Sequence, residues 1–241
     1  MLFGEPEPTQ ADVHFRVFGF PVRVSPYFWV GTLLLHLSGG GPVAPADAAI
    51  FVAVVFVSIL VHELGHAFLQ RRYGGHPWIT LLGFGGLASC GDCDPRPRPQ
   101  IIIALAGPFA GFLFAALIVL ALQLSGHLVA LRFDWMMVYW LPFRSYYLDS
   151  AIFYLLYVNI WWGIINLLPV YPLDGGRVSR HLLLVRNSQS GILRSLQLSA
   201  ITASLVAAYA IWGQQLYLAF MFAYLAYGSF QAAKAEQEPW R

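Results

Sequence analysis

Charge is what this sequence has least of. Asp, Glu, Lys and Arg make up 11% of its 241 residues, against about 25% in soluble globular domains. A water-soluble fold of this length would lack the polar surface to cover its core. The same shortage, with 58% hydrophobic residues and a mean hydropathy of +0.62, excludes disordered, collagenous and coiled-coil classes. Cysteine is nearly absent too, and two residues cannot build a disulfide framework. A net charge of +2 is too small to suggest nucleic acid as a partner. The N-terminus offers Glu5 and Glu7 in place of the basic region and apolar stretch of a signal peptide. No internal repeat or appended soluble domain is visible. What remains is a single membrane-embedded domain over residues 1–241.

Stretches free of Asp, Glu, Lys and Arg, read against the roughly 20 residues that a span requires, predict about six transmembrane helices. They run approximately over 24–38, 46–70, 101–124, 150–168, 194–212 and 214–233. Gly39 to Pro42 stops the first, and Gly213-Gln214-Gln215 turns the chain between the last two. Residues 73–93 are also apolar, but Gly74, Gly75, Pro77, Gly83, Gly85, Gly86 and Gly91 spoil a helix. Trp78 to Leu82 has strand chemistry. A short membrane-associated β-hairpin or re-entrant segment fits, and such backbone survives at membrane depth only where protein or a water-filled cavity satisfies it. The fold class expected is therefore an all-α polytopic membrane protein with one such insertion.

Six spans put both termini on one side. That side carries Arg16, Arg23, Arg71, Arg72, Arg96, Arg98, Arg177, Arg180, Arg186, Arg194, Lys234 and Arg241, leaving only Arg132 and Arg144 of the 14 basic residues opposite. This positive-inside bias predicts cytoplasmic N- and C-termini. The loop from Ser125 to Asp149, with Trp135, Tyr139, Trp140, Tyr146 and Tyr147 among Arg132, Asp134, Arg144 and Asp149, reads as an interfacial aromatic belt.

Ionisable groups inside spans are costly and mark function. Val61-His62-Glu63-Leu64-Gly65-His66 holds the pattern H-E-x-x-H late in the second span. On a helix His62 and His66 share a face and can aim two imidazoles at one metal. Glu63 lies beside them, placed to take a proton from an attacking water, the logic of zinc metalloproteases. The bland reading is a buried polar network or a transporter's polar pair. An open tetrahedral site needs a third protein ligand. Asp174 stands in Asn166-Leu167-Leu168-Pro169-Val170-Tyr171-Pro172-Leu173-Asp174-Gly175-Gly176-Arg177, where two prolines break the helix and two glycines allow a sharp turn. It can complete the site, or it can cap the helix that follows through Leu184.

Taken together, His62 to His66 and Asn166 to Gly175 closely resemble the motifs of the site-2 protease family of intramembrane zinc metalloproteases. Ala106-Gly107-Pro108-Phe109-Ala110-Gly111 resembles that family's Gly-Pro motif. The resemblance implies a six-helix core and one Zn2+ per chain held by His62, His66 and Asp174. It further implies Glu63 as general base, and Asn166 at the substrate carbonyl or its oxyanion. Family members often carry Asn where Gly111 stands, and many have PDZ or CBS domains, so the chain reads as a minimal, core-only member. A membrane-protein substrate, with a single-span helix as its target, a lipid bilayer, a regulatory membrane partner and a bacterial inner membrane are the expected surroundings. The glycine-rich segment, through Gly85 and Gly86, is expected to pair with an unwound substrate as an added strand. The competing class is a metal transporter or a protease-like binder of a membrane partner. Cys90-Gly91-Asp92-Cys93 is a C-x-x-C pair that His76 can join as a metal or redox site, but it reads best as a hairpin tip with two reduced thiols.

Overall fold

A computed structural model of the protein describes residues 7–38, 44–83, 85–132 and 137–237. The residues expected at Glu5, Gly39 to Pro42, Asp134, Trp135 and Arg241 lie outside them. The chain runs β1 (Val13–Val17), β2 (Phe20–Val24), α1 (Pro26–Ser38), α2 (Pro45–Arg72), β3 (Trp78–Leu82), β4 (Gly85–Ser89), α3 (Pro97–Leu124), β5 (Val129–Arg132), β6 (Met137–Trp140), α4 (Tyr146–Asn166), α5 (Asp174–Arg186), α6 (Gly191–Trp212) and α7 (Leu216–Gln237).

Among the described residues five helices, α2, α3, α4, α6 and α7, are long and apolar enough to cross a membrane. The first expected span differs. Helix α1 has 13 residues, about 20 Å at 1.5 Å per residue, short of a hydrocarbon core of about 30 Å. Prolines sit at the starts of α2 and α3, where their missing N–H costs nothing. Pro108 falls inside α3, where it leaves one turn without its hydrogen bond.

The chain is mostly helical as expected, but its β structure is larger than the single insertion that the sequence suggests. The hairpin expected over 73–93 is present as β3–β4, but it belongs to a four-stranded sheet of order β1-β2-β3-β4. The N-terminal β1–β2 hairpin turns through Phe18 and Gly19, both at positive φ. Strand β2 then pairs parallel to β3, Val22 opposite Ile79 and Val24 opposite Leu81. Burial explains the pairing. Phe20, Val22 and Val24 alternate onto one face and pack with Ile79, Leu81, Phe28, Val55, Ile59 and Leu64 in one core. The loop read as an aromatic belt also holds a β5–β6 hairpin, pinned by Asp149 Oδ1, which accepts from Trp140 Nε1 (3.0 Å) and the Phe143 amide (3.0 Å).

Cys90 and Cys93 form a disulfide, correcting the expectation of two free thiols. The turn brings their Cα atoms to 5.6 Å, inside the range a disulfide spans.

Candidate metal centre

Helix α2 carries His62, Glu63 and His66, all buried. One helical turn apart, the two imidazoles meet with their Nε2 atoms 3.3 Å from each other. Asp174 opens α5 after the break at Pro169–Pro172, and it is buried against both rings. Its Oδ2 lies 3.0 Å from His62 Nε2 and its Oδ1 3.2 Å from His66 Nε2. The ligand atoms of these three residues all fall within 4.8 Å of one another, the one such group of metal-ligand type among the described residues.

The donor set fits a zinc ion on two grounds. His66 Nδ1 lies 2.7 Å from the Ile103 carbonyl; a carbonyl only accepts, so Nδ1 carries the proton and Nε2 offers its lone pair inward. That is the second-shell arrangement of metal-binding histidines. Two imidazole nitrogens and a carboxylate facing each other in a buried space also call for a positive charge between them. Two imidazoles and one carboxylate are a zinc donor set that leaves a coordination position open. The alternative reading of Asp174 as a helix cap is not realised: Leu173 takes the N-cap position of α5, and both Asp174 oxygens face the histidine rings.

Close backbone approach builds the walls. A Cβ on Gly107 would lie 2.2 Å from His66 Nε2 and 2.7 Å from His62 Nε2, so α3 presses bare backbone onto the rings. A Cβ on Gly86 would lie 2.7 Å from Glu63 Oε1, so β4 runs directly over that carboxylate. Gly85, at φ +136, faces the Trp162 ring. The structure thus brings Gly85 and Gly86 to the site as a wall that touches Glu63 and α4. Asn166 is buried at the end of α4, and one of its amide hydrogens is donated to the Trp162 carbonyl (2.9 Å).

Three features escaped the sequence reading. One is the contact of Gly107 with the histidines, whose signal was the Gly-Pro pair inside a span. Another is Asn159, which is buried on α4, donates to Ser58 Oγ (2.9 Å) and occupies the space opposite Gly111. The third is a tie on the broken segment: the Tyr171 amide donates to Ser199 Oγ (2.5 Å), and Ser199 meets Ser229 at 3.1 Å. Helices α6 and α7 thereby hold the backbone three residues before Asp174.

Comparison with known proteins follows the same lines. The model of peptidase family M50 matches residues 50–151 and 137–208. A zinc metalloprotease of Methanocaldococcus jannaschii is 29% identical over 154 residues, 63% of this chain and 39% of that protein. Rip3 of Mycobacterium tuberculosis is 31% identical over 188 residues, 73% of this chain and 44% of that protein. The chain therefore spans less than half the length of both relatives. The solved structure of a site-2 protease from Methanocaldococcus jannaschii superposes with a TM-score of 0.61, covering 92% of this chain and 95% of that one at 22% identity. At that identity the likeness is one of fold.

Proposed function

Because the chain belongs to peptidase family M50, the site-2 protease family, we propose that this integral membrane protein is an intramembrane zinc metalloendopeptidase. Its substrate class is a transmembrane or membrane-adjacent segment of another membrane protein. One observation carries the reading: a buried His62–His66–Asp174 donor set with Glu63 at its side and strand β4 running over that glutamate.

His62, His66 and Asp174 would hold the zinc ion. When bound there, zinc supplies Lewis acidity, polarising a carbonyl and lowering the pKa of water. Glu63 takes the proton of the attacking water and passes it to the leaving amine. The second amide hydrogen of Asn166 donates to the carbonyl oxygen as charge builds on it, a type of contribution worth roughly 2.7–4 kcal/mol. A helical substrate has its amides internally bonded and must unwind first. Strand β4, the edge of its sheet, supports pairing with the extended segment.

The sheet also bears on topology. Strands β2 and β3 pair directly, so they share one side of the membrane, and the chain between them crosses an even number of times. With α2 one crossing, a second crossing before it is called for, which supports the expected count of six. Both termini then lie with Arg71, Arg72, Arg177 and Arg180 on the cytoplasmic side, and cleavage falls near the cytoplasmic end of the substrate.

The test is Glu63→Gln. The variant is expected to fold, to bind one zinc per chain, and to lose at least 10²–10⁴-fold in cleavage of a helical substrate in detergent. Undiminished cleavage would refute the proposal.

A further inference from the structure

The Cys90–Cys93 pair has no part in the chemistry above, yet it sits where it can act on it. Cys90 directly follows the last residue of β4, and Cys93 begins the link to α3. The knuckle lies on Gly75 so closely that a Cβ there would be 2.5 Å from both sulfurs. Asp92, between the cysteines, accepts from the His76 amide (2.8 Å), and its Oδ2 lies 2.6 Å from His76 Nδ1. Gln70, on α2, donates to the Ala88 carbonyl of β4 (3.0 Å). The disulfide thus closes the turn at the end of β4 onto the segment that follows α2, beside the Gln70 bond that ties the two elements together. Further along the same strand, Gly86 rests on Glu63.

We propose that Cys90 and Cys93 are a thiol–disulfide exchange site, taking a small protein dithiol as reductant, whose two states set how firmly β4 is held over Glu63. Two arguments favour exchange over a permanent staple. The bond closes a loop with a sequence separation of only 3, the kind of short loop from which a crosslink draws least chain-entropy stabilisation. On the orientation proposed above, the pair also faces the cytoplasm, where thiols are kept reduced and the disulfides that occur are transient, catalytic or redox-sensing.

The exchange balances without any further reagent. A thiolate of the reductant attacks Cys90 Sγ, because Cys93 Sγ is turned toward the Gln70 carbonyl (4.0 Å). The Cys90–Cys93 bond breaks, and Cys93 leaves and takes up a proton. The second thiol of the reductant then attacks its own mixed disulfide and releases Cys90. Two electrons and two protons have passed to the cysteines, and the reductant departs as its disulfide. Asp92 Oδ1, 3.3 Å from Cys90 Sγ, is in place to accept from the new thiol. Reduced, the sulfurs no longer have to share the space on Gly75, and the end of β4 is released.

The experiment uses the full chain, zinc-loaded, in detergent. It is equilibrated in glutathione buffers from fully reduced to fully oxidised, then trapped with a maleimide and weighed intact. The two thiols are expected to appear together as one two-electron couple. Amides of Leu87, Ala88 and Ser89 are expected to exchange hydrogen several-fold faster in the reduced protein. KM for a helical substrate should differ several-fold between the states, with kcat much less affected. A Cys90→Ser, Cys93→Ser double variant should hold the reduced-state values in every buffer. Cysteines that stay oxidised, or stay reduced, across the whole series would overturn the site. Exchange with no change in β4 protection would overturn the coupling, as would one further zinc bound per chain on reduction, which would make the pair a metal site. The KM arm rests on the protease reading; thiol trapping and amide exchange do not. A protein that exchanges and loosens β4 but cleaves nothing would refute the protease and leave the exchange site standing.

Discussion

A methyl group on Gly107 would sit 2.2 Å from Nε2 of His66, closer than any non-bonded pair of heavy atoms allows. The bare backbone of α3 is therefore part of the wall that holds the two imidazoles in register. Gly107→Ala is expected to rotate His66 off its hydrogen bond to the Ile103 carbonyl. Zinc affinity should fall about 10–100-fold, the usual cost of disturbing a ligand's supporting contacts. Gly111→Ala on the same helix meets its nearest neighbour at 3.4 Å and is expected to bind zinc as the parent does. Equal zinc titrations for the two variants would contradict this account.

Strand β4 and Glu63 are related in the same way. A Cβ on Gly86 would meet Glu63 Cγ at 2.5 Å, and both belong to packed elements. Gly86→Ala is expected to displace the carboxylate, lower kcat by about 10²–10⁴-fold, the usual worth of a placed general base, and leave zinc binding unchanged. Gly91→Ala, which meets nothing within 4 Å, serves as the control. A Gly86→Ala variant with parental kcat would show that β4 does not position the base.

A third prediction concerns the far end of α2. Asp47 is fully buried, and its Oδ2 accepts a 2.5 Å hydrogen bond from Tyr146 while its Oδ1 has no hydrogen-bond partner among the described residues. Tyr146→Phe leaves that carboxylate worse satisfied. It is expected to cost about 1–3 kcal/mol of stability, read as a lower unfolding midpoint in detergent, with kcat unchanged. Adding Asp47→Leu should recover much of the loss, since removing both partners costs less than orphaning one. If the single variant is as stable as the parent, Asp47 is satisfied by some other group.

Much of the centre was legible because it depends on local periodicity. His62 and His66 need only the four-residue spacing of one helix face, and Asp174 announced itself through the prolines and glycines that break the chain around it. The strands at 78–89 were legible for the opposite reason: glycine spacing forbade a helix there. The N-terminal hairpin was not. Val13 to Val24 alternates, but its partner is β3, reached only after two helices, and no local pattern encodes a parallel pairing across that distance. The contact of Gly107 with the histidines escaped for the same reason: it depends on where the backbone of α3 comes to rest against α2. The Cys90–Cys93 bond is local, but it depends on the geometry of one turn, which a C-x-x-C spacing leaves open.

The parallel register of β2 on β3 imposes an order of assembly. The residues of the first hairpin are synthesised before any helix, yet its partner strand follows only after α1 and α2. Until then the glutamate on α2 has no strand above it. The growing chain carries the two histidine donors of α2 early, and Asp174 comes only after α3 and α4. The His62–His66–Asp174 donor set and the strand over Glu63 are thus completed only as later segments of the chain arrive.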